Sequence, residues 1–235
     1  MIGIVIPAHN EAASIAACVA AAHVAATHVA LAGEAVVVVV VLDRCHDRTG
    51  AIAEAAGART IDVAFANVGA ARGAGADALL HEGARWLAFT DADTVVSPRW
   101  LVDQLSLDAD AVCGSIGVDD WSAHGDHAPS LAAHFLDTYS DCDGHRHIHG
   151  ANLGVAASAY RRAGGFSALA CSEDVALVEA LQRTGARIAW SALPRVVTSA
   201  RADARARGGF GDTLLAVTAA RLALTAAAAA VAVAA

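Results

Sequence analysis

Six consecutive valines, Val36 to Val41, followed by Leu42, constrain this chain more than any other stretch. A β-branched run without polar alternation suits a strand buried on both faces, and such strands belong to parallel sheets covered by helices. The run that begins at Ala35 stops at Asp43-Arg44-Cys45-His46-Asp47-Arg48-Thr49, so its carboxyl end is polar. Ile2 to Ile6 repeats the pattern and gives way to Pro7-Ala8-His9-Asn10-Glu11. Leu87 to Phe89, too short for a helix, ends in Thr90-Asp91-Ala92-Asp93. Open parallel sheets bind ligands in the crevice beyond the carboxyl ends of their strands, which is where these polar residues fall.

The intervening segments read as helices. Asn10 is placed to cap a helix running to about Leu31, with Glu11 against its positive end and Gly33 as its stop. Helix 50–56, a short strand from Arg59 to Val63 and a helix from Asn67 to Ala84 follow. Gly69, Gly73 and Gly75 in that last helix each cost about 1 kcal/mol against alanine, so they imply close approach to another element or to a ligand. Repeated strand–helix units give an α/β domain built on a parallel sheet. The second half is less regular: a helix from Pro98 to Leu105, a strand from Ala111 to Val118, then a polar loop to Pro129 with Trp121, His124 and His127. Next come a helix from Ser130 to Ser140, a strand from Ala151 to Ala156 and a helix capped by Ser158. Ser172 caps a further helix to Thr184, and strands from Arg187 and Arg195 complete the pattern. The alanine-dominated segment 214–235, interrupted by Arg221, reads as a helix packed on the domain or on a second subunit, with a membrane surface as the lesser option.

At 235 residues the chain is expected to form one domain, with halves 1–96 and 97–213 and the helix 214–235. A net charge of −8 gives no support to a nucleic-acid partner. All 16 basic residues are arginine, so an anionic ligand must be met by arginine, main-chain N–H groups or a metal ion. The five cysteines are scattered without metal-ligand spacing and read as buried, reduced thiols of a cytoplasmic protein. Met1 runs straight into the first strand, which does not resemble a signal peptide.

Three constellations carry chemistry. Residues i and i+2 of an extended segment point the same way, so Asp91 and Asp93 can face one hard cation, which in turn can hold a diphosphate. Glu173 and Asp174 open a helix, where two acids serve equally as helix stabilisation or as a catalytic pair. His145, His147 and His149 alternate; if extended, their rings lie on one face about 6.7 Å apart. They suit a zinc site, an acceptor pocket or a hydrogen-bond network.

Ile4-Val-Ile-Pro-Ala-His-Asn-Glu11, Val41-Leu-Asp-Arg-Cys-His-Asp-Arg-Thr49, Asn67-Val-Gly-Ala-Ala-Arg72 and Thr90-Asp-Ala-Asp93 occur in that order. They are followed by Gly150-Ala-Asn-Leu-Gly154, Gly164-Gly165-Phe166 and Glu173-Asp174. Together they resemble the family 2 glycosyltransferases of the GT-A fold. The resemblance implies a Rossmann-like, mostly parallel sheet flanked by helices, with a small acceptor-side sheet. It implies a metal-dependent, inverting, hexosyltransferase-like enzyme that moves one sugar from a UDP-, GDP- or dTDP-sugar to a small-molecule or lipid-linked acceptor. It places Pro7, Ala8, His9, Glu11, Asp43, Arg72 and Asp91 on the donor, and Asp91 and Asp93 on Mn²⁺ or Mg²⁺. Asp174 becomes the base, and Glu173, His149 and Trp121 lie on the acceptor side. Arg205 and Arg207 are candidate clamps on the diphosphate. The family's first acid at the second strand end is Leu42 here, and its Gly-Ser is Arg44-Cys45. The Gln-x-x-Arg-Trp motif of processive synthases is absent, which implies single-sugar transfer. The alternatives are a sugar-phosphate nucleotidyltransferase and a nucleotide-sugar-binding protein without catalysis. The implied location is cytoplasmic, at most peripheral to the inner face of the membrane, with a possible homodimer through the terminal helix.

Overall fold

The computed structural model describes residues 1–201. The helix expected over 214–235, the dimer contact assigned to it, and Arg205 and Arg207 lie outside the described residues. Strands β1 (Ile2–Ala8), β2 (Val36–Asp43), β3 (Arg59–Val63) and β4 (Trp86–Phe89) pair in parallel in the spatial order β3-β2-β1-β4. The sheet continues from β4 through β7 (Leu153–Ala156), β6 (Ala111–Gly114) and β8 (Ile188–Ser191). β7 runs antiparallel to both neighbours, and β8 is parallel to β6. Strands β5 (Thr94–Val96) and β9 (Val196–Thr198) form a separate antiparallel pair. The fold is therefore α/β with a mostly parallel seven-stranded sheet and a small second sheet, as the sequence implies, and the expected halves 1–96 and 97–213 share the large sheet.

The described residues form two compact units, 1–117 with 141–198, and 118–140 with 199–201. The first holds the sheets. The second carries a 3₁₀ turn, Ser122–His127, and a helix, Ala128–Thr138, with Pro129 in its first turn. Among the described residues, no helix is long and apolar enough to cross a membrane.

Alternation along the strands divides the core. Val5, Val39, Val41, Leu87 and Phe89 face α3 (Val68–His81), α6 (Ala157–Ala163) and α7 (Glu173–Arg183), which contribute Ala71, Leu79, Tyr160, Leu177 and Leu181. The other face receives α1 (Ile15–Ala26), α2 (Thr49–Ala55) and α4 (Trp100–Ser106): Leu42 reaches α2 at Gly50, and the Trp86 indole N–H donates to Gln104 of α4. Val38 to Val41 are buried, each contributing about 2 kcal/mol of hydrophobic burial. The glycines of α3 mark close approach to other elements. A Cβ on Gly75 would lie 2.6 Å from a methyl of Val5 and 2.9 Å from one of Val41, so α3 sits directly on the strands.

Several expected boundaries move. Asn10 does not cap a helix: it adopts φ 54°, which asparagine tolerates, and its side chain accepts from the His46 N–H instead. The helix starts at Ile15 and ends at Ala26, with a 3₁₀ turn over Val29–Leu31. β6 stops at Gly114 rather than Val118 because its partner β7 begins at Leu153, opposite Cys113. Ser158 lies inside α6 and not before it. Ser172 precedes α7 in the left-handed conformation, φ 59°, with no side-chain cap. Of the five free cysteines only Cys18 and Cys113 are buried; Cys142 and Cys171 are exposed.

One buried polar knot ties the less regular half together. Asn152, fully buried, accepts from the Trp100 indole N–H and donates to the carbonyls of Ser115 and Pro194. Asn152→Leu abandons all three partners at about 1–3 kcal/mol each, so urea unfolding should show a loss of about 3 kcal/mol or more. Gly75→Ala gains about 1 kcal/mol of helix propensity but overpacks two stiff valines at about 1–3 kcal/mol, so a net destabilisation is expected. A more stable Gly75→Ala protein would contradict the close packing of α3 on the sheet.

Candidate active site

β1 and β2 end level with one another, Ala8 opposite Leu42, so their carboxyl-terminal loops emerge side by side. Pro7 and Ala8 are the buried last residues of β1. Hydrogen bonds then brace the loops together. The His9 Nδ1–H donates to the Asp43 carbonyl at 2.7 Å, and the Cys45 thiol donates to the Ala8 carbonyl at 3.3 Å. Asp47 accepts from the main-chain N–H of Ala12 and from both the N–H and the hydroxyl of Thr49, while the Thr49 hydroxyl accepts from the Glu11 N–H. The Asp-x-Thr of this segment therefore holds the first loop in place. Glu11 is buried, and its carboxylate accepts from the Ser14 hydroxyl. Arg44, where the resembling family carries glycine, adopts φ 54°.

Asp43 is buried, and its two oxygens accept from the N–H groups of Ala66 and Asn67, each at 2.8 Å. It thus fixes the loop into α3, whose first turn is capped by the Asn67 side chain bonding the Ala70 N–H. Each Asp43 oxygen keeps a further lone pair for a ligand.

Asp91 and Asp93 leave β4 on a turn closed by the Thr94 N–H on the Asp91 carbonyl, not on extended chain as the spacing argument assumed. The buried Cys18 thiol of α1 also donates to that carbonyl, and burial, with Asp91 and Asp93 nearby, pushes its pKa up so that it stays protonated. The Asp91 carboxylate is about one-third exposed, 35%, and accepts from Arg72 at 2.6 Å.

Arg72 is 4% exposed and donates through its other amino group to Glu173. Burial alone would lower its pKa, but the carboxylates of Asp91, Glu173 and Asp174 more than offset this and raise it. For Glu173 burial is the largest influence and pushes the carboxyl up, with Arg72 opposing. Asp174 accepts from the Gly150 N–H and the Val175 N–H, each at 2.8 Å. Arg72, assigned to the donor by resemblance, is thus engaged by carboxylates of both β4 and α7. Neither the aromatic support of Phe166 beneath the guanidinium nor the contact of Gly150 upon it was legible in the residues alone.

The three histidines lie on irregular chain and stack: 5.4 Å separates the ring centroids of His145 and His147, and 5.9 Å those of His147 and His149. Stacked rings do not converge on an ion, and among the described residues no three His, Cys, Asp or Glu side chains do so. Asp91 and Asp93 nonetheless supply hard oxygen donors of the kind that hold Mg²⁺ or Mn²⁺ when phosphate and water complete the shell. Trp121 belongs to the second unit, where its indole tilts against Phe135 at 5.6 Å between centroids.

Burial pushes the His149 imidazole down to about 4, with His147 and His145 acting in the same direction and Asp91 against it. The unfolded chain takes up this proton near pH 6.5 and the folded chain does not. Stability linked to His149 is therefore complete above about 6.5 and is lost as pH falls toward 4. Melting curves in chelator between pH 7 and 4.5 should be flatter for His149→Gln than for the native protein; an identical slope would contradict this assignment.

The model of glycosyl transferase family 2 matches residues 3–164. No curated protein matches the chain at significant similarity. Among solved structures, TarS of S. aureus in complex with UDP-GlcNAc superimposes with a TM-score of 0.62 at 13% identity, covering 89% of this chain and 61% of that one. This chain thus spans about three-fifths of the TarS 1–349 chain and 37% of the longer TarS chain. Glucosyl-3-phosphoglycerate synthase from Mycobacterium tuberculosis, in complex with Mn²⁺, UDP and glucosyl-3-phosphoglycerate, gives 0.56 at 19% identity over 86% of this chain and 72% of its own. At such identities the structures speak for the fold. The family match covers most of the chain and takes in the loops after β1 and β2, Arg72 and the Asp91–Asp93 turn, and the chain belongs to glycosyl transferase family 2.

Proposed function

We propose that the protein is a metal-dependent, inverting, non-processive glycosyltransferase that moves one sugar from a nucleoside diphosphate-sugar to an acceptor hydroxyl. One observation carries this reading. The carboxyl ends of β1, β2 and β4 carry Glu11, Asp43, Asp91 and Asp93 in the loops that follow them, and α7 opens with Glu173, which shares the Arg72 guanidinium with Asp91, and Asp174 next to it. Donor carboxylates and a separate carboxylate base are what direct displacement at an anomeric carbon requires.

The loops holding Pro7, Ala8, His9 and Glu11 bind the nucleoside, with Asp43 beneath them. Uridine is the favoured base, because the similar staphylococcal and mycobacterial structures hold UDP-GlcNAc and UDP. Asp91 and Asp93 hold Mn²⁺ or Mg²⁺, which when bound neutralises charge on the departing diphosphate. Asp174 accepts the proton of the acceptor hydroxyl, whose oxygen attacks the anomeric carbon as the bond to diphosphate breaks, so the configuration inverts. Glu173 and His149 shape the acceptor side. His149 is uncharged near neutral pH and serves there as a neutral hydrogen-bonding group.

The test is transfer from UDP-, GDP- and dTDP-hexoses with Mn²⁺ to a panel of small-molecule and lipid-linked alcohols, with the product anomer read by NMR. Asp174→Asn should lower kcat by about 10²–10⁴-fold while leaving the Kd for the nucleoside diphosphate within about twofold. Undiminished transfer by Asp174→Asn, or a product of retained configuration, would sink the mechanism. Tight nucleotide-sugar binding without transfer would favour a binding protein.

A further inference from the structure

Arg72 turns both of its amino groups toward carboxylates. One amino group is bonded to Asp91 and the other to Glu173, and the side chain is 4% exposed. One neighbour of the guanidinium is the Phe166 ring, 5.7 Å from Cζ to centroid. Gly150 is another: a Cβ there would fall 2.3–2.6 Å from Nη2, Cζ and Nη1. The Nε–H is buried without a partner.

This is an unfavourable way to gain stability. A buried arginine between two acids can be matched or bettered by apolar residues of similar volume, and an unsatisfied N–H adds to the cost. What the arrangement does provide is geometry. Asp91 stands on the turn after β4, and Glu173 directly precedes Asp174 on α7. Gly150, pressed against the guanidinium, gives its N–H to Asp174. Arg72 therefore reaches Asp174 by two routes, through Glu173 along the helix and through Gly150 across the gap, while holding Asp91 directly.

Resting on the transferase reading above, we propose that Arg72 is a positioning residue that fixes the distance between the donor-side carboxylate Asp91 and the acceptor-side base Asp174, with Gly150 as its spacer. It does not bind the diphosphate. Lysine cannot span both carboxylates with a planar fork, so Arg72→Lys keeps the charge and loses the spacing. Gly150→Ala keeps every charge and displaces the guanidinium.

The experiment measures three quantities on native protein, Arg72→Lys and Gly150→Ala. They are the Kd for UDP with Mn²⁺ by calorimetry, kcat and acceptor KM with the best donor–acceptor pair, and the melting midpoint. Both variants should lose about 10²-fold in kcat, the scale of a misplacement of about 1 Å, with the Kd for UDP and Mn²⁺ within about threefold of native. A Kd raised tenfold or more in Arg72→Lys would mean a diphosphate clamp and overturn the proposal. A lowered melting midpoint with native kcat in the folded protein would mean a purely structural residue and overturn it equally. Transfer by the native protein with unchanged kcat in both variants defeats this inference alone; no transfer by the native protein with any donor defeats the transferase reading and this inference with it.

Discussion

The parallel pairing of β1 with β2, residue for residue from Ile2 opposite Val36 to Ala8 opposite Leu42, is the constraint on which the rest depends. It brings two polar loops out at one level. β4, with Phe89 opposite Val5, delivers Asp91 beside them. A shift of one residue in β2 would exchange its two buried faces and turn Asp43 away from the loop before α3. The uninterrupted valines make such a shift nearly neutral for burial, because both faces of β2 are apolar. The polar residues beyond the strand must then define the register: Asp43 on Ala66 and Asn67, Asp47 on Ala12, and Thr49 on Glu11.

The crevice concentrates acids in a chain without lysine, and it compensates them largely with main-chain donors. Asp43 and Asp174 each accept two peptide N–H groups, and Asp47 accepts two besides the Thr49 hydroxyl. Peptide donors are fixed by the fold, so these carboxylates are held at defined places without mobile cations. Asp91 and Glu173 share one side-chain cation, Arg72.

Much of this was legible in the residues. Val36 to Val41 could only be a doubly buried strand, and the polar ends of the apolar runs marked the crevice. What was not legible came from tertiary contacts. Asn10 looked like a cap because asparagine suits caps, but the His46 N–H across the crevice competed for it and won. Asp91 and Asp93 were read on extended chain, whereas the Thr94 N–H closes a turn there. Alternating histidines suggested convergence, but ring stacking beside Trp190 set their geometry. No local pattern announces that Gly150 and Phe166, far along the chain, lie against the Arg72 guanidinium.

The hydrogen bond from Gly150 to Asp174 has a kinetic side. It is strong while the carboxylate is charged and weakens once the carboxyl holds a proton. Gly150 also bears on the guanidinium that grips Asp91. In the mechanism proposed, a proton reaching Asp174 would weaken its hold on the Gly150 peptide, which lies against the guanidinium bonded to Asp91. The two sides of the crevice are thus joined through one peptide and one guanidinium, so whatever moves either of these bears on Asp91 and Asp174 together.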